Sequence, residues 1–382
     1  MNDGANVTEP PERIPWVRPI LDPDESLLAD IHAALSSGRV TNDGPKLREF
    51  ERRLAGYLGV EDCVTVSSGS AALLLGIWAL DLRGGTAILP SFTFPATLNA
   101  ILLAGMTPVF CDIEPDTWTM SPVHLDRLLA ADPAIRLVVP VNVFGVQPDL
   151  GALRRTIGSR RAVVLLDNAH GFGTEQGGAR CPREAPVQAY SFHATKTLPA
   201  VEGGAVVASD PRLLAEVRRL RNHGVASDPL ASTPGFNAKM SELHAAVGLR
   251  SLQGLEAVLA RRREYAERLR RTMEVDCAEA LTVQVIPPGM RSNFQNLGAL
   301  CRRGGRPNVP SIQTALDRAG IETRRYFWPP LHQLSVYRGR CSLPVTEAVG
   351  EAILCLPLHN RMDPPVLDRI EDALRQAARA GG

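Results

Sequence analysis

From residue 63 to residue 166 the chain alternates between short apolar runs and segments with helical spacing, and few folds accept that pattern. Residues 63–66, 86–89, 107–111, 136–141 and 162–166 read as strands, and residues 70–80, 96–104, 122–130 and 150–157 as the helices between them. A strand that returns through a helix to the next strand needs a crossover, so the alternation predicts an α/β fold with a mostly parallel sheet. The strands are near-continuous apolar runs, as a sheet covered by helices on both faces requires. Two amphipathic helices precede the series. One covers residues 24–37 and stops at Gly38; the other covers residues 45–58, after the turn-forming Thr41-Asn42-Asp43-Gly44-Pro45. From about residue 210 to Arg271 the pattern is mainly helical, with one long amphipathic segment through Leu249, Leu252, Leu255 and Leu259. The remainder reads as a smaller α+β unit. A chain of 382 residues, at about 150 residues per domain, divides into two: a large domain over 1–250 that includes the N-terminal segment, and a small C-terminal domain over 251–382.

Composition excludes several function classes. With 42 basic and 41 acidic side chains the net charge is +1, which offers neither nucleic acid nor an anionic membrane a partner surface. The arginines at 261–263, 268, 270 and 271 read as the solvated face of a helix. The seven cysteines are odd in number and lack C-x-x-C spacing, which suits free thiols in a reducing compartment and no metal. The first 20 or so residues are polar and proline-rich and should run over the surface, without a signal sequence. No run approaches the ~18 apolar residues of a membrane span. A cytoplasmic protein is expected.

Ligands of such sheets bind beyond the carboxyl ends of the strands. After the first strand stands Ser67-Ser68-Gly69-Ser70-Ala71-Ala72 at a helix start. Its backbone N–H groups suit an anion such as phosphate, although a plain serine N-cap would look the same. After the strand at 162–166 stands Asp167-Asn168-Ala169-His170. A carboxylate at a buried strand end needs a cationic partner, such as a protonated pyridine nitrogen, unless it only caps the next turn. The glycine-rich stretch at 171–178 lacks G-x-G-x-x-G spacing and reads as a turn-rich loop. Ser191-Phe192-His193-Ala194-Thr195-Lys196 then leads to Glu202-Gly203-Gly204. A lysine held between a strand and a glycine pair suits Schiff-base chemistry, because its amine must be desolvated to be nucleophilic.

Taken in order, these motifs resemble the DegT/DnrJ/EryC1/StrS family of nucleotide-sugar aminotransferases over nearly the whole chain, from Gly38-Arg39-Val40-Thr41-Asn42 to Ile353-Leu354-Cys355-Leu356-Pro357-Leu358. The resemblance implies the type I, aspartate-aminotransferase-like fold and pyridoxal 5′-phosphate (PLP) as cofactor, alternating with pyridoxamine phosphate (PMP). It implies that Lys196 carries the cofactor and shuttles a proton, that Asp167 pairs with the pyridine nitrogen, and that Gly69, Ser70 and Ser191 hold the phosphate. Phe94 matches the aromatic that stacks on the ring, and His170 falls on the side of the ring's 3-hydroxyl. Asn237 matches a residue that reaches the neighbouring subunit's cofactor, which implies a homodimer with shared active sites.

Within the family the match is nearest to dTDP-4-keto-6-deoxyglucose 4-aminotransferases, through Asn237-Ala238-Lys239-Met240 and Arg324-Arg325-Tyr326-Phe327-Trp328-Pro329. That implies Lys239, Arg324, Arg325 and Tyr326 as contacts for the nucleotide sugar, though these side chains could equally pack the small domain. Asn142 stands where relatives often have His, and Ser70 where Thr is common. Lys196 is retained where a sugar-dehydrating branch carries His, so transamination from L-glutamate to C4 of a dTDP-4-keto sugar is the expected reaction. The alternatives are the same chemistry at C3 or on another nucleotide or a cyclitol, a non-catalytic regulator that binds PLP or a nucleotide sugar, and a PLP lyase acting on amino acids.

Overall fold

The computed structural model describes residues 12–19, 21, 23–225, 233–302, 308–337 and 341–379. Two helices, α1 (Glu25–Ser36) and α2 (Pro45–Leu58), open the chain. The alternating series follows: β1 (Val64–Val66), α3 (Gly69–Ala79), β2 (Thr86–Pro90), α4 (Pro95–Leu103), β3 (Thr107–Cys111), α5 (Pro122–Ala131), β4 (Ile135–Val138), α6 (Leu150–Ile157) and β5 (Val163–Asp167). Then come β6 (Glu175–Gln176), β7 (Val187–Ser191), β8 (Gly204–Ala208) and α7 (Pro211–Leu220). The seven-stranded sheet has the order β1-β8-β7-β5-β4-β2-β3. Its β2, β3, β4, β5 and β7 ladders are parallel, and only β8 runs against its neighbours β1 and β7. The mixed, mostly parallel sheet expected from the alternation is present.

The long amphipathic segment is not one helix. It breaks at Gly254 into α8 (Glu242–Gln253) and α9 (Leu255–Val275), and the glycine lies between them at φ −92°, ψ 0°. Hydrophobic spacing carries across the break, so the pattern alone could not reveal it. The boundary placed at residue 250 falls in the last turn of α8.

Beyond α9 lie β9 (Leu281–Val283), β10 (Met290–Arg291), β11 (Leu297–Cys301), α10 (Val309–Arg318), α11 (Pro344–Ala352), β12 (Ile353–Leu356) and α12 (Pro364–Arg379). Strands β12-β11-β9 form an antiparallel sheet. Successive side chains of β12 face opposite ways, as a strand dictates. Leu354 and Leu356 enter a core with α9, α10 and α12, whereas Ile353 and Cys355 enter a second one with Phe92, Trp118, Phe144 and Phe327. That second core joins the large unit to the small one.

Two further expectations change. Ile14 is buried, and it pairs with Ile321 in the small unit's core, so this part of the N-terminal segment does not run over the surface. Arg262 and Arg263 are not solvated. Both are buried, and they donate to main-chain carbonyls of Phe294, Gln295 and Leu358 (Arg262) and of Gly173 and Ser292 (Arg263). Arg268 pairs with Glu371 and Asp368 of α12. The arginine-rich face of α9 therefore fastens the small unit. All seven cysteines are free, five of them buried. Among the described residues no helix is long and apolar enough to cross a membrane, and no cluster of His, Cys, Asp or Glu could hold a metal.

Candidate active site

The carboxyl ends of β1, β5 and β7 lie at one edge of the sheet, and the candidate residues follow them. Ser68 caps α3 by accepting from the Ala71 N–H at 3.1 Å. Gly69 and Ser70 are the first two residues of that helix, where unpaired N–H groups and the positive end of the helix dipole attract anions. A Cβ on Gly69 would sit 2.7 Å from the Ser191 Cβ and 3.0 Å from its hydroxyl. Only glycine lets the helix start and the end of β7 approach so closely, and this sets Ser191 beside Gly69.

Asp167 is the last residue of β5 and is buried. Its carboxylate accepts from the Thr97 hydroxyl at 2.7 Å and from the Ala169 N–H at 3.1 Å. Thr97 is in turn bonded to Thr93 at 2.8 Å. Among the described residues no cation forms an ion pair with Asp167. Burial pushes its carboxyl up, against the pull of Thr97, Ala169 and the charge of Lys196. Asn142 is buried behind it and donates its backbone N–H to the Asp167 carbonyl at 2.9 Å.

Lys196 sits in the turn between β7 and β8. Main-chain bonds close that turn: Lys196 N–H to His193 at 2.9 Å, Ala194 N–H to Val201 at 2.8 Å and Ala200 N–H to Phe192 at 2.8 Å. The glycine pair that follows is needed for packing. A Cβ on Gly203 would strike Met240, and one on Gly204 would come within 2.5 Å of the Ser68 carbonyl. Burial brings the Lys196 amine down to about 8, while Asp167 pulls the other way. Lys196 in turn helps hold His170 well below the ordinary histidine range, after burial, which contributes most. Lys196 is thus within electrostatic reach of both Asp167 and His170. The His170 ring packs against Phe144 and Phe327, at centroid distances of 6.0 and 6.1 Å, and those two rings also touch each other at 5.7 Å.

The other candidates are more dispersed. Phe94 caps the N-terminus of α4 and is 54% exposed. Asn237 is exposed, and its neighbour Ala238 accepts from Ser67 N–H at 2.7 Å, next to the start of α3. The Lys239 amine donates to the Asn222 side chain at 3.0 Å. Tyr326 packs between Trp16 and Phe327, continuing the row of rings that begins at His170. Arg324 pairs with Glu322. The Arg325 guanidinium donates to the carbonyls of Gly350 (3.0 Å) and Glu351 (2.7 Å) and stacks on Trp328 at 4.0 Å. Both bonds come from its Nη2; its buried Nε makes no hydrogen bond among the described residues. Sequence reasoning missed Thr97, Phe144, Phe327 and the strip 292–296. Thr97 had a faint signal, a hydroxyl one helical turn beyond Thr93; the others had none.

Three comparisons bear on this arrangement. The model of the DegT/DnrJ/EryC1/StrS aminotransferase family matches residues 22–375. The chain belongs to this family. The structure of DesI in the presence of its TDP-sugar product is similar, at TM-score 0.88 and 33% identity, over 96% of this chain and 94% of that one. The dTDP-4-amino-4,6-dideoxy-D-glucose transaminase of Shigella dysenteriae is 29% identical over 94% of this chain and 97% of its own. The PLP form of Spr1654 from Streptococcus pneumoniae matches at TM-score 0.87 and 25% identity, over 96% of this chain and 99% of that one. As a DegT/DnrJ/EryC1/StrS enzyme, this protein is a PLP-dependent sugar aminotransferase with the type I fold. The regulator and amino-acid lyase readings are thereby set aside.

Proposed function

We propose that this enzyme moves an amino group from L-glutamate to C4 of a dTDP-4-keto-6-deoxyhexose, with PLP carried on Lys196. The observation that carries the site assignment is Asp167, a buried carboxylate with no ion-pair partner among the described residues, in electrostatic reach of a desolvated lysine. A pyridine nitrogen bearing a proton is the partner such a carboxylate lacks. The acceptor is proposed from the likeness to DesI and to the Shigella transaminase.

When bound, PLP supplies an electron-accepting ring and a carbon that holds the amino group between the two half-reactions. Asp167 keeps the ring nitrogen protonated, with Thr97 orienting its carboxylate. Gly69, Ser70 and Ser191 anchor the phosphate, Phe94 covers the ring, and His170 borders the 3-hydroxyl. The Lys196 Nζ takes the proton from the α-carbon of the donor and delivers one to C4 of the sugar, which needs an amine that is neutral near working pH. Lys239, Arg324 and Tyr326 contact the nucleotide sugar. Arg325, whose Nη2 is held by the end of α11, offers its remaining donors to the same ligand.

Because the Lys196 amine sits at about 8, cofactor attachment to the apoprotein should speed up as pH rises through about 8 and level off above it, well below the ordinary lysine range near 10.4. A stopped-flow record of the visible band against pH checks this. A second expectation concerns the dimer. Asn237→Ala should weaken cofactor retention, and in mixed dimers the site that loses cofactor should be the one on the unmutated subunit. Unchanged PLP binding would remove the shared-site assignment. The reaction is tested by following the visible absorption of the holoenzyme through L-glutamate and then dTDP-4-keto-6-deoxyglucose. Bleaching followed by return supports the C4 reading. Bleaching that returns only with a 3-keto nucleotide sugar would move the chemistry to C3.

A further inference from the structure

Residues Ser292, Asn293, Phe294, Gln295 and Asn296 are all buried, in the irregular stretch between β10 and β11. Four of the five are polar, and buried polar groups need partners. The Gln295 side chain finds both of its partners on the turn that carries Lys196. Its carbonyl Oε1 accepts the Thr197 N–H at 3.1 Å, and its Nε2 donates to the Thr195 carbonyl at 2.9 Å. The two bonds fall one residue to either side of Lys196. An amide can accept from one peptide unit and donate to another at once, as a neighbouring strand would.

The same strip grips the turn of His170. Asn293 Nδ2 donates to the carbonyls of His170 (2.8 Å) and Phe172 (2.9 Å), and its Oδ1 accepts the Gln295 N–H at 2.8 Å. The Thr197 hydroxyl closes the circuit by donating to the Phe172 carbonyl at 2.9 Å. Arg262 pins the strip to α9 through the carbonyls of Phe294 (2.7 Å) and Gln295 (3.0 Å). Among the described residues no hydrogen bond is made to the Lys196 amine itself. Its position is therefore decided by its backbone, and Gln295 is what holds that backbone from the small-unit side.

We propose that Gln295 is a positioning residue that fixes the reach and the dryness of the Lys196 amine. It acts through the two peptide groups that flank Lys196 and touches neither cofactor nor substrate. The inference rests on Lys196 as the cofactor-bearing residue and is independent of which sugar is aminated.

The test uses full-length apoprotein and added PLP. Attachment joins the amine to the cofactor aldehyde, forming a C=N bond as the aldehyde oxygen leaves as water. Borohydride reduction and peptide mass verify that the adduct is on Lys196. Gln295→Met keeps the volume and loses both bonds. It is expected to slow attachment by about tenfold or more, since a small misplacement of a reacting group is costly. It should also raise the pH midpoint of attachment toward that of an ordinary lysine and leave PMP affinity unchanged. Gln295→Glu can accept from Thr197 but cannot donate to Thr195, so its rate on the alkaline plateau should lie between the native and Met rates. It decides the matter if the Met variant does not fold. A native rate and a native midpoint in the variants, even with a lowered melting temperature, would overturn the inference and leave Gln295 a packing residue. Failure of the native protein to form any Lys196 adduct would overturn the cofactor placement, and this inference with it.

Discussion

Lys196→Ala is expected to give a folded protein that still binds pyridoxamine phosphate and does not turn over, with kcat reduced by at least about 10³-fold for loss of the proton-transferring group. The fold should survive because the turn around Lys196 is closed by main-chain bonds that alanine also makes. The amine donates no stabilising hydrogen bond among the described residues, and its burial is unfavourable to its charged form. The melting temperature of the apoprotein should therefore not fall. Binding of PMP, followed by its absorption, should persist through Gly69, Ser70 and Ser191. Retained transamination in this variant would remove Lys196 from the mechanism.

The second large effect is expected for Asp167→Asn. Breaking a buried charge pair by removing one partner costs about 3–5 kcal/mol. If that loss falls on the transition state, kcat drops by about 10²–10³-fold, at 1.4 kcal/mol per decade. Two further readouts separate this from structural damage. Asp167 pulls the Lys196 amine upward, so the variant should show a lower pH midpoint for cofactor attachment. The stability sign also runs opposite to activity. The folded-state carboxyl is raised by burial, so in the apoprotein the folded state resists losing that proton. Stability is thus reduced once pH climbs above the raised value. The uncharged asparagine escapes this cost, and the apoprotein variant should melt no lower than the native apoprotein at neutral pH. A clearly lower melting temperature together with an unshifted midpoint would make Asp167 a structural residue.

Much of this site was legible because its parts are local. Ser68 before a run of small residues announces a helix start, and α3 begins there. Asp167 follows four apolar residues and ends β5. The glycines of Gly203-Gly204 are demanded by contacts within a few ångströms of Met240 and Ser68, and glycine pairs mark such close approaches in a sequence. Local cues failed at other positions. The face of α9 reads as a solvated arginine row, yet Arg262 and Arg263 point inward, since each finds carbonyls contributed by residues far along the chain. An arginine is the same residue type in either role, and only the supply of acceptors around it separates the two.

The sequence alone determined the first two helices, the alternating strands and helices from residue 63 to residue 166 and the residue types set at the strand ends, because hydrophobic period, caps and glycines act over a few residues. Which side chains hold those ends in place was decided only in three dimensions. Thr97 reaches Asp167 across 70 positions of sequence, and Gln295 reaches Thr197 across 98. A hydrogen bond needs its two groups within about 3 Å, and it leaves no period in the chain by which either partner could announce the other. The strand ends are written locally, and the posture of the lysine among them depends on a strip of small-unit residues that meets it only after the sheets have packed.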